Sequence, residues 1–233
     1  MKSVLYLIPT PLAEVALSKV LPEYVIRILH SLNQFIVEDI RTARRFLARS
    51  NHPLPIEKIR FRELNEHTKE KDVSLLLPYL SEDNTGLLSD AGVPCIADPG
   101  ERIVRIAHAN DISIVPLIGP SSIFLALMSS GLNGQSFSFA GYLPVKRNER
   151  QTRIRFLEHR SACEQQTQIF IETPYRNMQL LEDLLKCCCN ETSLAIAANL
   201  TSPDELIRTK CIREWKKNIP VLQKVPTVFL LQA

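Results

Sequence analysis

Glycine is scarce, with 7 in 233 residues, and no G-x-G-x-x-G turn follows the first apolar run. That excludes a conventional dinucleotide site, and the lack of any G-x-x-x-x-G-K-[S/T] run excludes a P-loop. No apolar stretch approaches the ~20 residues that cross a bilayer as a helix. Met1-Lys2-Ser3 leads into a short apolar stretch that meets Pro9-Thr10-Pro11 at once, which reads as a buried strand and not as a signal peptide. The six cysteines include no Cys-x-x-Cys pair. Cys187-Cys188-Cys189 end a helical pattern pointing three ways, with no matching histidine pair. We therefore expect buried or half-buried thiols, no metal and no disulfide framework. Reduced thiols without an export signal make the expected compartment the cytoplasm. Aromatic residues are 6% of the chain, too sparse near the basic stretches to announce a platform for stacking single-stranded bases. The net charge of +3 permits a polyanionic partner without demanding one.

What is present is a chain 45% hydrophobic, enough to fill real cores. Strand-like runs at 4–8, 35–37, 59–62, 86–88 and 112–117 alternate with helical patterns at 22–32, 40–49, 72–80 and 101–109. Such alternation predicts an α/β fold whose first domain, residues 1–118, is a mostly parallel sheet flanked by helices. After Gly119-Pro120 the texture changes. An apolar helix at 123–130 and a charged helix from 147 to 159 are followed by a helix at 177–188. Strands are expected at 137–141, 168–172, 193–197, 206–212 and 227–231. Late strands that follow one another without long helices predict a mixed α+β second domain, residues 119–233.

The most informative run is Thr85-Gly86-Leu87-Leu88-Ser89-Asp90-Ala91-Gly92-Val93-Pro94-Cys95-Ile96-Ala97-Asp98-Pro99-Gly100. An apolar strand ends in Ser-Asp, and the loop behind it is stiffened by two prolines. Gly92 allows positive φ or a close ligand approach. Asp98-Pro99 reads as the N-cap and first position of the next helix. Stiff loops at the C-terminal ends of strands are where open α/β sheets bind ligands. The same run also reads as a plain strand–turn–helix joint with Asp90 in an Asx-turn.

This run resembles the Ser-Asp-Ala-Gly-Thr-Pro…Asp-Pro-Gly signature of the tetrapyrrole-methylase superfamily. Further matches follow in order: Pro9-Thr10-Pro11, Glu38-Asp39-Ile40-Arg41, Gly119-Pro120-Ser121-Ser122, Gly141-Tyr142-Leu143-Pro144 and Glu172-Thr173-Pro174-Tyr175-Arg176. Within the superfamily the chain is most similar to the bacterial small-subunit ribosomal RNA (cytidine-2'-O)-methyltransferases. The resemblance implies S-adenosylmethionine as cofactor, RNA as partner, no membrane, a homodimer, and a cofactor cleft between two unlike α/β domains. It places Pro9, Leu12, Asp90, Ala91, Gly92, Val93, Ile96, Ser121, Ser122, Glu172, Thr173, Leu200, Pro226 and Thr227 at the cofactor. Ser121 and Ser122 also open a helix, whose free N–H groups suit an anion, although Ser121 reads equally as an N-cap.

Arg41, Arg44, Arg45 and Arg49 recur at i, i+3, i+4 and i+8 on one expected helix, three of them near its N-terminus, where positive charge opposes the dipole. A bound phosphate accounts for that pattern; a solvated face with Arg41 paired to Glu38 or Asp39 is the alternative. Lys146, Arg147, Arg150, Arg153 and Arg155 form a second basic stretch, with Lys146, Arg150 and Arg153 on one side, giving a split basic track or simply a charged surface helix. Arg41, Arg44, Arg45, Arg147, Tyr175 and Arg176 are thus the expected substrate contacts. Methyl transfer to a ribose hydroxyl wants a base. Asp39, beside Arg41, is the first choice, with Glu38 and Glu172 the other carboxylates and Arg41 holding the neighbouring phosphate.

Departures from the ribosomal enzymes fall on the substrate side. Leu12-Ala13-Glu14 stands for their Ile-Gly-Asn, Ile40 for a threonine, Glu66-His67-Thr68-Lys69 for Glu-His-Asn-Glu, and Ala198-Asn199 for Arg-Glu; their C-terminal extension is not in the sequence. Three readings stand: an RNA ribose methyltransferase, a methyltransferase of a small molecule such as a tetrapyrrole, and a non-catalytic S-adenosylmethionine-binding protein.

Overall fold

The computed structural model describes residues 3–233; Met1 and Lys2, which open the leading segment read above, lie outside the described residues. The chain divides into two units, the first ending at Ser121 and the second running Ser122–Ala233.

In the first unit, β1 (Val4–Ile8), β2 (Gln34–Val37), β3 (Arg60–Glu63), β4 (Thr85–Leu88) and β5 (Ser113–Pro116) form a five-stranded sheet in the order β3-β2-β4-β1-β5. Every pairing is parallel. The C-terminal ends of all five strands therefore share one edge, and β4, threaded between β1 and β2, puts its loop at the middle of it. Strands β2 and β4 are buried throughout, as parallel strands covered on both faces must be. The close fit there depends on Gly86: a Cβ would stand 2.6 Å from the Phe35 ring. Helices α1 (Glu23–Ser31), α2 (Ile40–Arg49), α3 (Glu70–Ser74), α4 (Leu77–Glu82) and α5 (Glu101–Ala109) cover the faces. One face buries Leu29, Phe35, Phe46 and Leu47 in a common cluster, and the other buries Leu5, Ile36, Leu80 and Ile103. Each such side chain contributes about 1.5–3 kcal/mol relative to exposure.

Two expectations are corrected in this unit. The single helix at 72–80 is two short helices, because Pro78 lacks an N–H and its ring cannot follow the carbonyl of Ser74 in one continuous helix. Asp98 does not cap α5; Gly100 occupies the N-cap position, and Asp98 Oδ1 instead accepts the N–H groups of Cys95 (2.9 Å) and Gly100 (2.7 Å), closing the loop on itself.

The second unit holds β6 (Phe137–Tyr142), β7 (Thr167–Ile171), β8 (Ser193–Ala198), β9 (Leu206–Cys211) and β10 (Thr227–Gln232) in the order β6-β7-β10-β8-β9. Only β6 and β7 pair in parallel, so the sheet is mixed, as expected. The directions bring the ends of β6, β7 and β8 and the start of β10 to one edge. Helices α6 (Ser122–Ser130), α7 (Arg147–Glu164), α8 (Asn177–Cys187) and the short α9 (Ile212–Trp215), which periodicity did not predict, complete it. All six cysteines are free; Cys188 is buried and Cys187 half-buried as expected, but Cys189 is exposed. Among the described residues, no helix is long and apolar enough to cross a membrane.

The basic stretch opening α7 is not uniformly a surface track: Lys146, Arg147 and Arg155 are exposed, but its middle is not. Arg150 is buried and pairs with the fully buried Asp183 at 2.7 Å, and it also donates to the Val145 carbonyl at 2.8 Å. Arg147 (3.0 Å) and Gln151 (2.7 Å) donate to the other Asp183 oxygen. Lys146 pairs with Glu149, and Arg153 stacks over Phe156. Burial alone would raise the Asp183 carboxyl, but these hydrogen bonds outweigh it and hold its pKa below the usual aspartate value. Because the folded value is depressed, this stability is complete above the unfolded pKa of ~3.9 and is lost as pH falls through the lower folded value. Asp183→Ala leaves Arg150 buried and unpaired and should cost about 3–5 kcal/mol in urea unfolding at pH 7; a loss below 1 kcal/mol would show that the α7–α8 seam does not depend on this pair.

Candidate active site

Three loops at the C-terminal edge of the first sheet build the site. Pro9-Thr10-Pro11 leaves β1, and its backbone is tied to the β4 loop by a two-residue antiparallel bridge. Thr10 N–H donates to the Gly92 carbonyl (2.9 Å), and Gly92 N–H donates to the Thr10 carbonyl (3.1 Å). Ser89 Oγ donates to the same Gly92 carbonyl at 3.1 Å, and Thr10 Oγ1 donates to the Ser89 carbonyl at 3.3 Å. Gly92 sits at φ +81°, where a Cβ would meet Leu12 at 3.1 Å and the Pro120 carbonyl at 3.4 Å. Beyond it, Cys95 (φ +70°) and Ala97 (φ +59°) are held in the left-handed region without being glycine. Such strain persists only where the surroundings impose it, here the Asp98 hydrogen bonds and the flanking Pro94 and Pro99.

The third loop, after β2, is clasped to the β4 loop from the other side. Asp90 N–H donates to Glu38 Oε2 at 3.0 Å. Burial raises the Glu38 carboxyl, with Asp98, Asp90 and Glu66 adding to the rise. Burial likewise raises Asp90, helped by the charges of Asp39 and Asp98, and raises Asp98. Asp39 behaves differently. Its Oδ1 caps α2 by accepting the Thr42 N–H at 2.7 Å, and that bond holds its pKa below the usual range. A carboxylate so stabilised is a weak base.

A cavity of about 490 Å³ opens between the loops and α2. Leu12, Asp90 and Ala91 line one side with Thr10 and Ser89, and Arg45 and Arg49 line the other with Phe46. Expected cofactor and substrate residues thus meet in one chamber. Arg44 is not among them; it leaves the expected common face to stack over Phe61 at 5.6 Å. Arg41 is exposed outside the cavity, and neither it nor the other α2 arginines form the ion pair offered as the alternative. Pro9 is buried against Gly119, whose Cβ would stand 2.2 Å from it. Val93 is half-buried and Ile96 exposed, both outside the cavity lining. Ser121 immediately precedes α6, and Ser122 is its first residue.

In the second unit, Glu172 is fixed rather than poised. Its Oε1 takes two bonds from Arg176 (2.6 and 2.9 Å) and one from the Thr173 N–H (2.6 Å), with the Glu172 side chain fully buried. Arg176 is therefore committed to Glu172, and Arg147 to Asp183, which corrects both as free substrate contacts. Tyr175 is 75% exposed. Glu172 Oε2 and Thr201 Oγ1 are buried without partners. Leu200 is buried between Asn199 (φ +50°) and Thr201 (φ +70°), a left-handed pair that the sequence did not disclose. Asn199 N–H donates to the Pro226 carbonyl at 2.9 Å, and Thr227 Oγ1 donates to the Val225 carbonyl.

A family model for Tetrapyrrole (Corrin/Porphyrin) Methylases matches residues 20–215. The chain belongs to that family. It is 32% identical over 206 residues to the ribosomal RNA small subunit methyltransferase I of Vibrio cholerae serotype O1, covering 88% of this chain and 67% of that one. To the protein of the same name in Mesorhizobium japonicum it is 34% identical over 213 residues, covering 90% and 67%. Among solved structures, the methyltransferase CobJ superposes with a TM-score of 0.65 at 14% identity, covering 100% of this chain and 94% of that one. The cobalt precorrin-4 methyltransferase gives 0.61 at 14% identity, covering 98% and 94%. At that identity the likeness is one of fold, and it is the two-domain α/β architecture expected above. As a tetrapyrrole methylase family member the protein is a methyltransferase.

In this family member the Thr10–Gly92 bridge tests the site directly. Gly92→Ala places a side chain at φ +81° against Leu12 and should cost about 1–2 kcal/mol. The Thr10 and Gly92 amides should exchange with solvent faster than in the parent. Unchanged melting together with unchanged protection would mean that the bridge does not hold the edge.

Proposed function

We propose that the protein methylates a ribose 2'-oxygen of ribosomal RNA with S-adenosylmethionine as donor. The observation that carries this reading is the shared cavity, where Leu12, Asp90 and Ala91 face Arg45 and Arg49. The names of its relatives support the RNA substrate, and the free thiols support a cytoplasmic setting. Pairing as a homodimer is part of the proposal through the family resemblance.

The residues present fit the cofactor. Burial raises Glu38, Asp90 and Asp98, and neighbouring carboxylates add to the rise at Glu38 and Asp90; a neighbouring sulfonium cation would favour their charged forms. The Gly92 backbone is engaged with Thr10 and Ser89, which leaves Leu12, Asp90 and Ala91 to meet the donor; the second unit, taken by itself, carries the orphaned Glu172 Oε2 and Thr201 Oγ1. On the first unit, Thr10, Leu12, Asp90 and Ala91 would hold the donor. When bound, the cofactor supplies a methyl group activated by positively charged sulfur.

The chain's own residues then have separate tasks. Arg45 and Arg49 hold a phosphate by charge-assisted hydrogen bonds. The rigid loops fix the attacking oxygen, which is where much of the rate of a displacement comes from. Asp90 lines the cavity and takes the hydroxyl proton, replacing Asp39 and Glu172, which are committed to the α2 cap and to Arg176. It can do so only when ionised. Since its pKa is raised, turnover should fall as pH drops through a value above the ordinary aspartate range.

Labelled-methyl transfer to small-subunit ribosomal RNA at saturating cofactor tests this. Asp90→Asn should lower kcat by about 10²–10⁴ and remove that acid limb. Asp39→Ala should cost about 1 kcal/mol of stability and retain most turnover. The reverse pattern would restore Asp39 as the base. Cofactor binding without transfer to RNA by the parent would overturn the reading.

A further inference from the structure

The positive charge of the first unit is distributed unevenly. Arg60, Arg102 and Arg105 are in ion pairs with Glu82, Glu70 and Glu101. Arg41, Arg44, Arg45, Arg49 and Arg62 form none among the described residues, and all five stand on α2 or on the edge strand β3. All five are exposed. Arg27, on α1, is the one other arginine of this unit outside an ion pair. Evolving surfaces readily place a Glu at i±4 of an arginine, as Glu101 and Arg105 do here, so the absence of acids along α2 is a feature in itself.

Arg49 donates to the Val15 carbonyl at 2.8 Å, and two others of the five are held by aromatic rings without being neutralised. The Arg44 guanidinium lies 5.6 Å over the Phe61 ring, and that of Arg62 lies 5.1 Å over the Tyr79 ring. Tyr79 is fixed in turn, its hydroxyl donating to the Arg60 carbonyl at 2.7 Å. Phe61 and Arg62 are successive residues of one strand, so their side chains leave opposite faces of the sheet. The two stacked guanidiniums therefore flank the open edge of β3, one from each face. Stacking engages the flat face of a guanidinium and leaves the N–H groups in its plane to bond oxygen acceptors; at Arg62 one of them donates to the Phe61 carbonyl at 3.2 Å, which further fixes the group. Restraint by an aromatic ring also removes part of the entropy that a free arginine loses on binding.

We infer that the β3 edge is a second phosphate-binding surface, on which Arg44 and Arg62 grip the RNA backbone flanking the nucleotide that is modified. The inference rests on the RNA reading above and extends it beyond the cavity. Lysine or arginine on an edge strand also discourages strand pairing between copies. That role needs charge alone and predicts no dependence on RNA length.

Binding of a small-subunit rRNA fragment and of cytidine monophosphate should be measured across a salt series for the parent, Arg44→Ala, Arg62→Ala, the double variant, and Arg105→Ala as a paired control. Each single variant should lower the slope of log K against log salt by about 0.7–0.9, as expected for one lost phosphate contact. The double variant should lower it by about twice that, while mononucleotide and S-adenosylmethionine affinities stay at parental values. Arg44→Lys and Arg62→Lys should restore the slope in part, since charge returns without the stacked fork. Parental slopes in both alanine variants, with RNA still bound by the cavity, would overturn the surface and leave the function intact. Loss of mononucleotide affinity along with RNA would also overturn it, by showing damage to the cavity. A parent that binds no RNA would overturn the function and the surface together.

Discussion

The hydrogen bonds that join Thr10 to Gly92 are the constraint on which the site depends. A parallel sheet gathers its loops on one edge but does not order them, because each crossover ends there independently. Threading β4 between β1 and β2 makes its loop a neighbour of both. The Thr10 bridge then locks it to the β1 loop, and the bond from Asp90 N–H to Glu38 ties it to the β2 loop. Backbone groups do most of this, so the arrangement survives wide variation in side chains. Glycine is used where no other residue serves: Gly92 for its φ, Gly86 for the Phe35 ring and Gly119 for Pro9. A chain with so few glycines spends three of them within reach of this edge.

The electrostatics follow from the same geometry. Bringing the ends of β2 and β4 together concentrates Glu38, Asp39, Asp90 and Asp98, and the raised pKa values of three of them record first their burial and, at Glu38 and Asp90, their like-charged neighbours. Asp39 escapes the rise by accepting from the first turn of α2. In doing so it offsets the unfavourable placement of Arg41, Arg44 and Arg45 near that N-terminus. The helix is thus stable although its exposed face is almost wholly cationic. Acids on the loops and arginines on the helix then stand across one cavity, a polarity that suits a cationic donor on one side and an anionic acceptor on the other.

Much of this was legible in the sequence, and the failures have identifiable causes. Strand and helix periodicity located β1, α2 and α5 to the residue, because apolar spacing there is regular and the caps are local. The Ser89–Gly92 loop was marked by composition. Burial of a charge was not legible: Arg150 shares its spacing with exposed arginines, and only Asp183, contributed by a different helix, fixes it inside. Glu172 looked like a free acid for the same reason, since an i+4 arginine either solvates or locks it according to burial. The bridging role of Thr10 and the stacking of Arg44 and Arg62 depend on pairings between distant segments, for which a single sequence carries no signal. Asn199 and Thr201 were hidden because neither residue advertises positive φ as glycine does.

The departures of Leu12-Ala13-Glu14 and Glu66-His67-Thr68-Lys69 from the ribosomal pattern now acquire a location. The first lies in the cavity wall. The second follows β3, where Glu66 adds to the charge felt by Glu38. Neither disturbs the Thr10–Gly92 bridge or the Asp90–Glu38 bond, which are made by backbone groups and by residues kept from the family signature. Variation at these positions is therefore structurally cheap, because the bridged loops do not depend on the side chains that vary. A fold arranged in this way can change its acceptor while keeping its donor chemistry, and the same architecture in corrin-modifying methyltransferases and in relatives named for ribosomal RNA is what that separation predicts.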